Sequence, residues 1–246
     1  MAEKKRLDQL VHEKMPQYSR RQIQSWIMQG KGRVNDRIVT KAGTQVPEDV
    51  QIDLDIQEPK FVSRAGFKLE KALDHFGVDV TDLIVLDAGI STGGFTDCLL
   101  QRGAKKVFGV DVGYGQVAEK IRHDNRVELL ERTNLRELRD YDIGQKVDLI
   151  TLDLSFISLL KIMDAVVSLL KDDGQLITLI KPQFEARRED VGRGGIIKDS
   201  SVHQEVIDRV TQGIEGYGFK LIGVVESPIT GAEGNKEFLA YFKRAL

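Results

Sequence analysis

Four charged residues close four apolar runs. Asp87 follows Leu83–Leu86, Asp111 follows Val107–Val110, Asp153 follows Val147–Leu152, and Lys181 follows Leu176–Ile180. Singly, each reads as a solvated cap. Together they form a pattern that solvation does not require. If the runs are parallel strands of one sheet, all four charges reach the edge where open α/β sheets bind ligands. Asp87 and Asp111 then stand where a nucleoside is held, and Asp153 and Lys181 where a second substrate lies. A lysine beside an acid serves as a general base when burial and a second cation lower its pKa. Lys68, off the apolar stripe of its helix, is the expected second cation.

The first run opens into Asp87-Ala-Gly89-Ile-Ser91-Thr92-Gly93-Gly94, and a helix is expected from Phe95. Strand, glycine-rich turn and helix form the nucleotide-binding unit of Rossmann-like sheets. Glycines let a ligand approach the backbone, and the helix start offers free N–H groups. The spacing is not Gly-x-Gly-x-x-Gly, which argues against a nicotinamide dehydrogenase. An acid ahead of the glycines suits a cationic amine better than a pyrophosphate. S-adenosyl-L-methionine is a ligand of that kind. Asp111, 24 residues after Asp87, is spaced to hold a ribose diol. Thr133 and Asn134, after a weaker strand at 127–130, are polar residues suited to adenine. The expected cofactor contacts are Asp87, Gly89, Ser91, Thr92, Gly93, Gly94, Phe95, Asp111, Val112, Thr133, Asn134 and Asp153.

The elements that must position these groups alternate. Ser63 is expected to cap a helix with its stripe at Leu69, Ala72, Leu73 and Phe76. A helix is expected from about Ser158 to Leu170, then a turn at Asp172-Asp173-Gly174. Residues 183–198 break the pattern with a charged, glycine-rich loop of the functional kind. A helix near 201–215 and strands near 220–225 and 237–242 end the chain. The expectation is an α/β, Rossmann-like, mostly parallel sheet with a C-terminal antiparallel hairpin at its edge.

Ahead of it, residues 1–57 read as a small α+β module, with a linker at 58–62 and the larger domain over 63–246. Leu7, Leu10 and Val11 have helical spacing, and Ser19-Arg-Arg-Gln22 is a capping box before Ile23, Trp26 and Ile27. Gly30 is placed to end that helix. A hairpin is expected to turn at Asn35-Asp36, and Val50, Ile52, Leu54 and Ile56 alternate as a strand.

The net charge is −2, but ten basic residues fall within 1–41 against four acids. A basic head on an acidic body points to a polyanionic partner. No apolar run approaches the roughly 20 residues of a membrane span, and no signal peptide is visible. One cysteine, Cys98, fits a reducing cytoplasm and reads as packing. The four histidines show no metal-ligand spacing, so no metal is expected.

Two resemblances follow. Arg6-Leu-Asp8, Ser19-Arg20 and Gly30 with Val34-Asn35 resemble the S4 RNA-binding domain, which implies a basic surface on structured RNA: Arg6, Arg20, Arg21, Lys31 and Arg33, with Arg64 added from the second domain. Ser63-Arg-Ala-Gly-Phe-Lys68, the Asp87 turn, Asp111-Val-Gly-Tyr-Gly-Gln116, Asp153-Leu-Ser-Phe-Ile-Ser158, Lys181-Pro-Gln-Phe-Glu185 and Ile229-Thr-Gly-x-x-Gly-Asn-x-Glu237 together resemble the TlyA family. That family, often labelled hemolysin A, joins an S4 domain to an FtsJ-like methyltransferase domain. The resemblance implies S-adenosylmethionine-dependent 2′-O-methylation of ribosomal RNA at cytidine, in the small and in some members the large subunit. It implies a catalytic tetrad of Lys68, Asp153, Lys181 and Glu237, with the ribosomal subunit or its RNA as partner. A non-catalytic RNA-binding protein is the alternative. A membrane-lytic activity, suggested only by the family label, is disfavoured because no span or strongly amphipathic basic helix supports it.

Overall fold

The computed structural model describes residues 4–55, 59–231 and 234–245. The chain divides into two compact units, Met1–Pro59 and Lys60–Leu246.

The first unit opens with β1 (Lys4–Arg6), α1 (Leu7–Lys14) and α2 (Arg20–Met28). The expected capping box closes: the Ser19 hydroxyl accepts from the Gln22 N–H, and the Gln22 amide oxygen accepts from the Ser19 N–H. Gly30, just past α2, has φ 77°, a conformation that glycine adopts without penalty. β2 (Gly32–Val34) and β3 (Arg37–Ile38) form the hairpin. Asn35 (φ 46°) and Asp36 (φ 63°) make the double left-handed turn that a two-residue hairpin requires. β5 (Ile52–Leu54) pairs with the other edge of β2. The sequence pattern missed a second small sheet, in which β1 pairs with β4 (Gln45–Pro47). Both strands are too short to show a period. Leu7, Leu10, Val11, Ile23, Ile27, Val46 and Val50 form the core. Ile56, Gln57 and Glu58, where the strand was expected to end and the linker to begin, lie outside the described residues.

The second unit is a seven-stranded sheet built on β6 (Ile84–Ala88), β7 (Lys106–Val110), β8 (Val127–Leu130), β9 (Val147–Leu152), β10 (Leu170–Ile180), β11 (Phe219–Glu226) and β12 (Phe238–Arg244). Their spatial order is β11-β12-β10-β9-β6-β7-β8. The five strands from β10 to β8 are parallel, and the β11–β12 hairpin is the antiparallel edge. Alternate residues of each central strand enter opposite cores. Leu86, Phe108 and Ile150 face one side, with α7 (Met163–Leu169) and α9 (Ser200–Glu215). Val85, Val107 and Leu149 face the other, with α3 (Ala65–Phe76) and α4 (Gly94–Gln101). Burial on both faces explains why these strands read as unbroken apolar runs. Cys98 packs in the second core, and burial pushes its thiol up to about 12. Two short helices, α5 (Glu119–Arg122) and α6 (Asp140–Ile143), fill connections.

Three local expectations are corrected. Ser63 does not cap α3; the N-cap position is Arg64, in helical conformation, with no side-chain cap. The helix expected from 158 begins as a 3₁₀ turn (Leu159–Ile162) and becomes α-helical only at Met163. The turn expected at 172–174 lies inside β10, which pairs with β9 already at Leu170 and shifts register before Gln175. The polar residues mark that irregularity rather than the strand's start. The 183–198 segment holds α8 (Pro182–Glu185) and two 3₁₀ turns, Arg188–Asp190 and Arg193–Gly195.

Candidate active site

The carboxyl ends of β6, β7, β9 and β10 deliver Asp87, Asp111, Asp153 and Lys181 toward one edge of the sheet. A cleft of about 420 Å³ lies there, lined by Gly89, Ser91, Asp111, Val112, Thr133, Asn134 and Asp153 among others. Its size is that of a small-molecule site. A narrower recess lined by Gly89, Ser91, Thr92, Gly94, Phe95 and Asp153 adjoins it through shared residues. Gly93 lines neither.

The glycine turn is shaped by close approaches. A Cβ on Gly89, which has φ 85°, would stand 2.3 Å from the Asp153 carbonyl oxygen. A Cβ on Gly94 would stand 2.2 Å from the Ser63 hydroxyl. These glycines bring β6 against β9 and α4 against the start of α3. Asp111 anchors the turn: its carboxylate accepts from the Ser91 N–H at 2.9 Å and the Gly113 N–H at 2.7 Å. Val112 is 74% exposed and offers the cleft an apolar surface.

Asp87 is placed differently from the other strand-end charges. It is fully buried, accepts from the Thr96 and Thr151 hydroxyls at 2.7 and 3.0 Å, and lines neither the cleft nor the recess. Burial pushes its carboxyl up to about 6, against those two hydrogen bonds and helped by the charge of Asp153. It braces the turn from beneath.

Past Asp153 the site is charged and sheltered. Lys181 Nζ lies 2.6 Å from Asp153 Oδ1 and donates to Ser155 Oγ at 2.9 Å. Lys68 Nζ lies 2.5 Å from Glu237 Oε2, and both residues are buried. The structure thus joins four widely separated sequence positions into two ion pairs. Sequence reasoning passed over Ser155, which sits inside the quoted Asp153–Ser158 motif, and three supporting residues. Glu185 accepts from the Ser158 hydroxyl and the Leu159 N–H, fixing the segment after Asp153, and burial raises its pKa. Asn235 accepts from the Ile197 N–H and donates to the Gly195 carbonyl. The His203 ring meets the Ile197 carbonyl at 3.2 Å. The glycine-rich segment is therefore held down by buried side chains from two other elements.

The RNA-facing expectations fall in both units. Arg20, Arg21, Arg33 and Arg64 are exposed, and Arg6 and Lys31 are half-buried. Arg6 and Arg20 also have an internal partner. Both donate to the buried Asp8, as does Gln24. Burial alone would raise the Asp8 pKa, but these donors hold it well below the usual carboxylate range. No described helix is long and apolar enough to cross a membrane.

An FtsJ-like methyltransferase model matches residues 61–244 and an S4 domain model residues 5–52. The chain is 43% identical to Hemolysin A of Brachyspira hyodysenteriae, over 96% of this chain and 99% of that one. It is 38% identical to the 16S/23S rRNA (cytidine-2′-O)-methyltransferase TlyA of Mycobacterium tuberculosis, over 99% and 91%. A solved structure of a candidate hemolysin from Streptococcus thermophilus superposes with TM-score 0.75 at 40% identity, covering 100% of this chain and 90% of the other. The strand order, the cleft at the carboxyl ends and these likenesses agree: the chain is a methyltransferase of the FtsJ-like family, in the TlyA/hemolysin A group that carries an S4 domain ahead of the catalytic one.

Proposed function

We propose that this protein is an S-adenosylmethionine-dependent 2′-O-methyltransferase of cytidine in ribosomal RNA, acting on the small subunit and, as the name of the M. tuberculosis relative indicates for that protein, open to the large one. The observation that carries the reading is the double position of Asp153, which lines the cleft and holds the Lys181 amine at 2.6 Å. A proton acceptor and a nucleoside-sized site therefore share a wall.

The cleft residues fit the cofactor. Gly89 and Gly94 keep the backbone clear of side chains, Asp111 and Thr133 present oxygens, and Val112 and Leu135 present apolar surface. Asp111 and Asp153 outnumber Arg136 in its lining, which suits a ligand carrying positive charge. S-adenosylmethionine, when bound, supplies an electrophilic sulfonium methyl. Lys181 takes the proton from the ribose 2′-hydroxyl, whose oxygen accepts that methyl. Asp153 aims the amine, and the Lys68–Glu237 pair orients the acceptor nucleotide. Because the leaving thioether is neutral, alignment and proton removal are the protein's main contributions. Residues 1–57 supply the RNA-binding head through Arg6, Arg20, Arg21, Lys31 and Arg33, and Arg64 is a further RNA contact on the catalytic domain itself.

The test is transfer of tritium from labelled S-adenosylmethionine to 30S and 50S subunits and their naked RNAs, wild type beside Lys181→Ala. Label lost in the variant supports the reading. RNA binding with neither transfer to any of the four nor cofactor binding points to a non-catalytic RNA-binding protein.

A further inference from the structure

A primary amine acts as a base through one lone pair, and a flexible side chain can point it anywhere. Asp153 Oδ1 at 2.6 Å occupies one N–H direction of Lys181. Ser155 Oγ, at 2.9 Å, occupies a second. Lys181 itself is only 9% exposed, whereas Ser155 is exposed on the cleft wall with Asp153. The two acceptors come from one short segment, two residues apart, that follows β9, the strand next to the lysine's own. That segment is pinned by Glu185, whose carboxylate accepts from the Ser158 hydroxyl and the Leu159 N–H, and Glu185 lies four residues after Lys181.

We infer that Ser155 is a positioning residue for methyl transfer: with Asp153 it fixes two of the three N–H directions of Lys181, so that the remaining one, where the lone pair lies in the neutral amine, faces the acceptor hydroxyl. The inference rests on the methyltransferase reading above. In the step it serves, the 2′-oxygen gains the methyl as the carbon–sulfur bond breaks, and the hydroxyl proton ends on Lys181 Nζ. A hydroxyl suits this task because it accepts from the amine in either protonation state. Asp153 alone fixes one N–H direction and leaves either of the other two positions to carry the lone pair.

The experiment compares wild type, Ser155→Ala and Ser155→Thr on 30S and 50S subunits in separate reactions. Calorimetry measures S-adenosylmethionine affinity, and side-chain ¹⁵N relaxation measures the order of Lys181 Nζ without turnover. Ser155→Ala is expected to lower kcat about tenfold, the lower end of the weight of one hydrogen bond to a charged group, with KM for RNA and cofactor affinity unchanged. The order of Lys181 Nζ falls in that variant, and Ser155→Thr, which keeps the hydroxyl, restores both. Unchanged kcat and unchanged Nζ order in Ser155→Ala overturn the inference. So does a rise in KM or a loss of cofactor affinity at constant kcat, which makes Ser155 a binding residue instead. Failure of the wild type to transfer methyl on either subunit overturns the underlying reading, while the Nζ order still reports whether Ser155 holds the lysine.

Discussion

The Glu237 carboxylate holds the Lys68 amine at 2.5 Å across 169 residues of chain, with both groups sheltered from water. Removing one partner of such a pair strands a buried charge, which typically costs about 3–5 kcal/mol. Lys68→Met and Glu237→Gln are each expected to lower stability toward that range. Lys68→Met combined with Glu237→Leu recovers most of it without restoring methyl transfer. Urea unfolding of the three variants beside tritium transfer separates the pair's structural part from its catalytic one.

Asp87 makes stability depend on pH in an unusual direction. Its folded-state pKa of about 6 lies above the ordinary carboxyl value of 3.8. Between those values the folded protein binds the extra proton, so this group's contribution to stability falls as pH rises from about 4 to 6. The loss is at most roughly 3 kcal/mol. Asp87→Asn keeps an acceptor for Thr96 and removes the charge. It is expected to flatten that stretch of the profile and raise the urea midpoint at pH 8. A midpoint lower than wild type at pH 8 contradicts this.

Asp8 behaves oppositely. Its depressed pKa means that its stabilisation is present above the ordinary carboxyl value and is lost as pH falls through the folded-state one. Asp8→Asn is expected to weaken RNA binding several-fold by releasing Arg6 and Arg20, and to reduce the salt dependence of binding. Filter binding to 16S rRNA across a salt series, with tritium transfer at saturating RNA as control, checks both.

The glycine turn admits no side chain at Gly89. Gly89→Ala combines a strained φ with a 2.3 Å approach to the Asp153 carbonyl. Titration calorimetry is expected to show S-adenosylmethionine binding weakened at least tenfold, a loss of about 1.4 kcal/mol or more. Binding at wild-type affinity in a folded Gly89→Ala protein rules out this turn as the cofactor cradle.

Much of this arrangement is legible in sequence because strand-end charges and turn chemistry are local. Four apolar runs with charged ends, the Ser19 capping box and the Asn35-Asp36 turn each need only a few neighbouring residues. What stays hidden depends on contacts distant in sequence. Nothing local distinguishes Asp87, buried on Thr96 and Thr151, from Asp111, whose carboxylate closes the turn. Ser63 looks like a helix cap, yet it packs against Gly94 from another element. The grip of Asn235 on Ile197 reaches across 38 residues of chain. The β1–β4 sheet fails to announce itself because three-residue strands carry no period.

β12 reverses the direction of its neighbour, with Phe238 opposite Ile180. In a wholly parallel sheet every strand reaches the ligand edge by its tail, and its head faces the far side. Here one strand enters at that edge, and Glu237, immediately before it, arrives head-first beside charges that the other strands bring tail-first. The single reversal thus adds an extra attachment point to the working rim without another helical crossover, and it ties that carboxylate's position to the pairing of β12 with β10. A one-residue slip in that pairing would take Glu237 away from Lys68 and also exchange the core faces of Leu239 and Tyr241 with those of Ala240 and Phe242, so both cores guard the carboxylate's position.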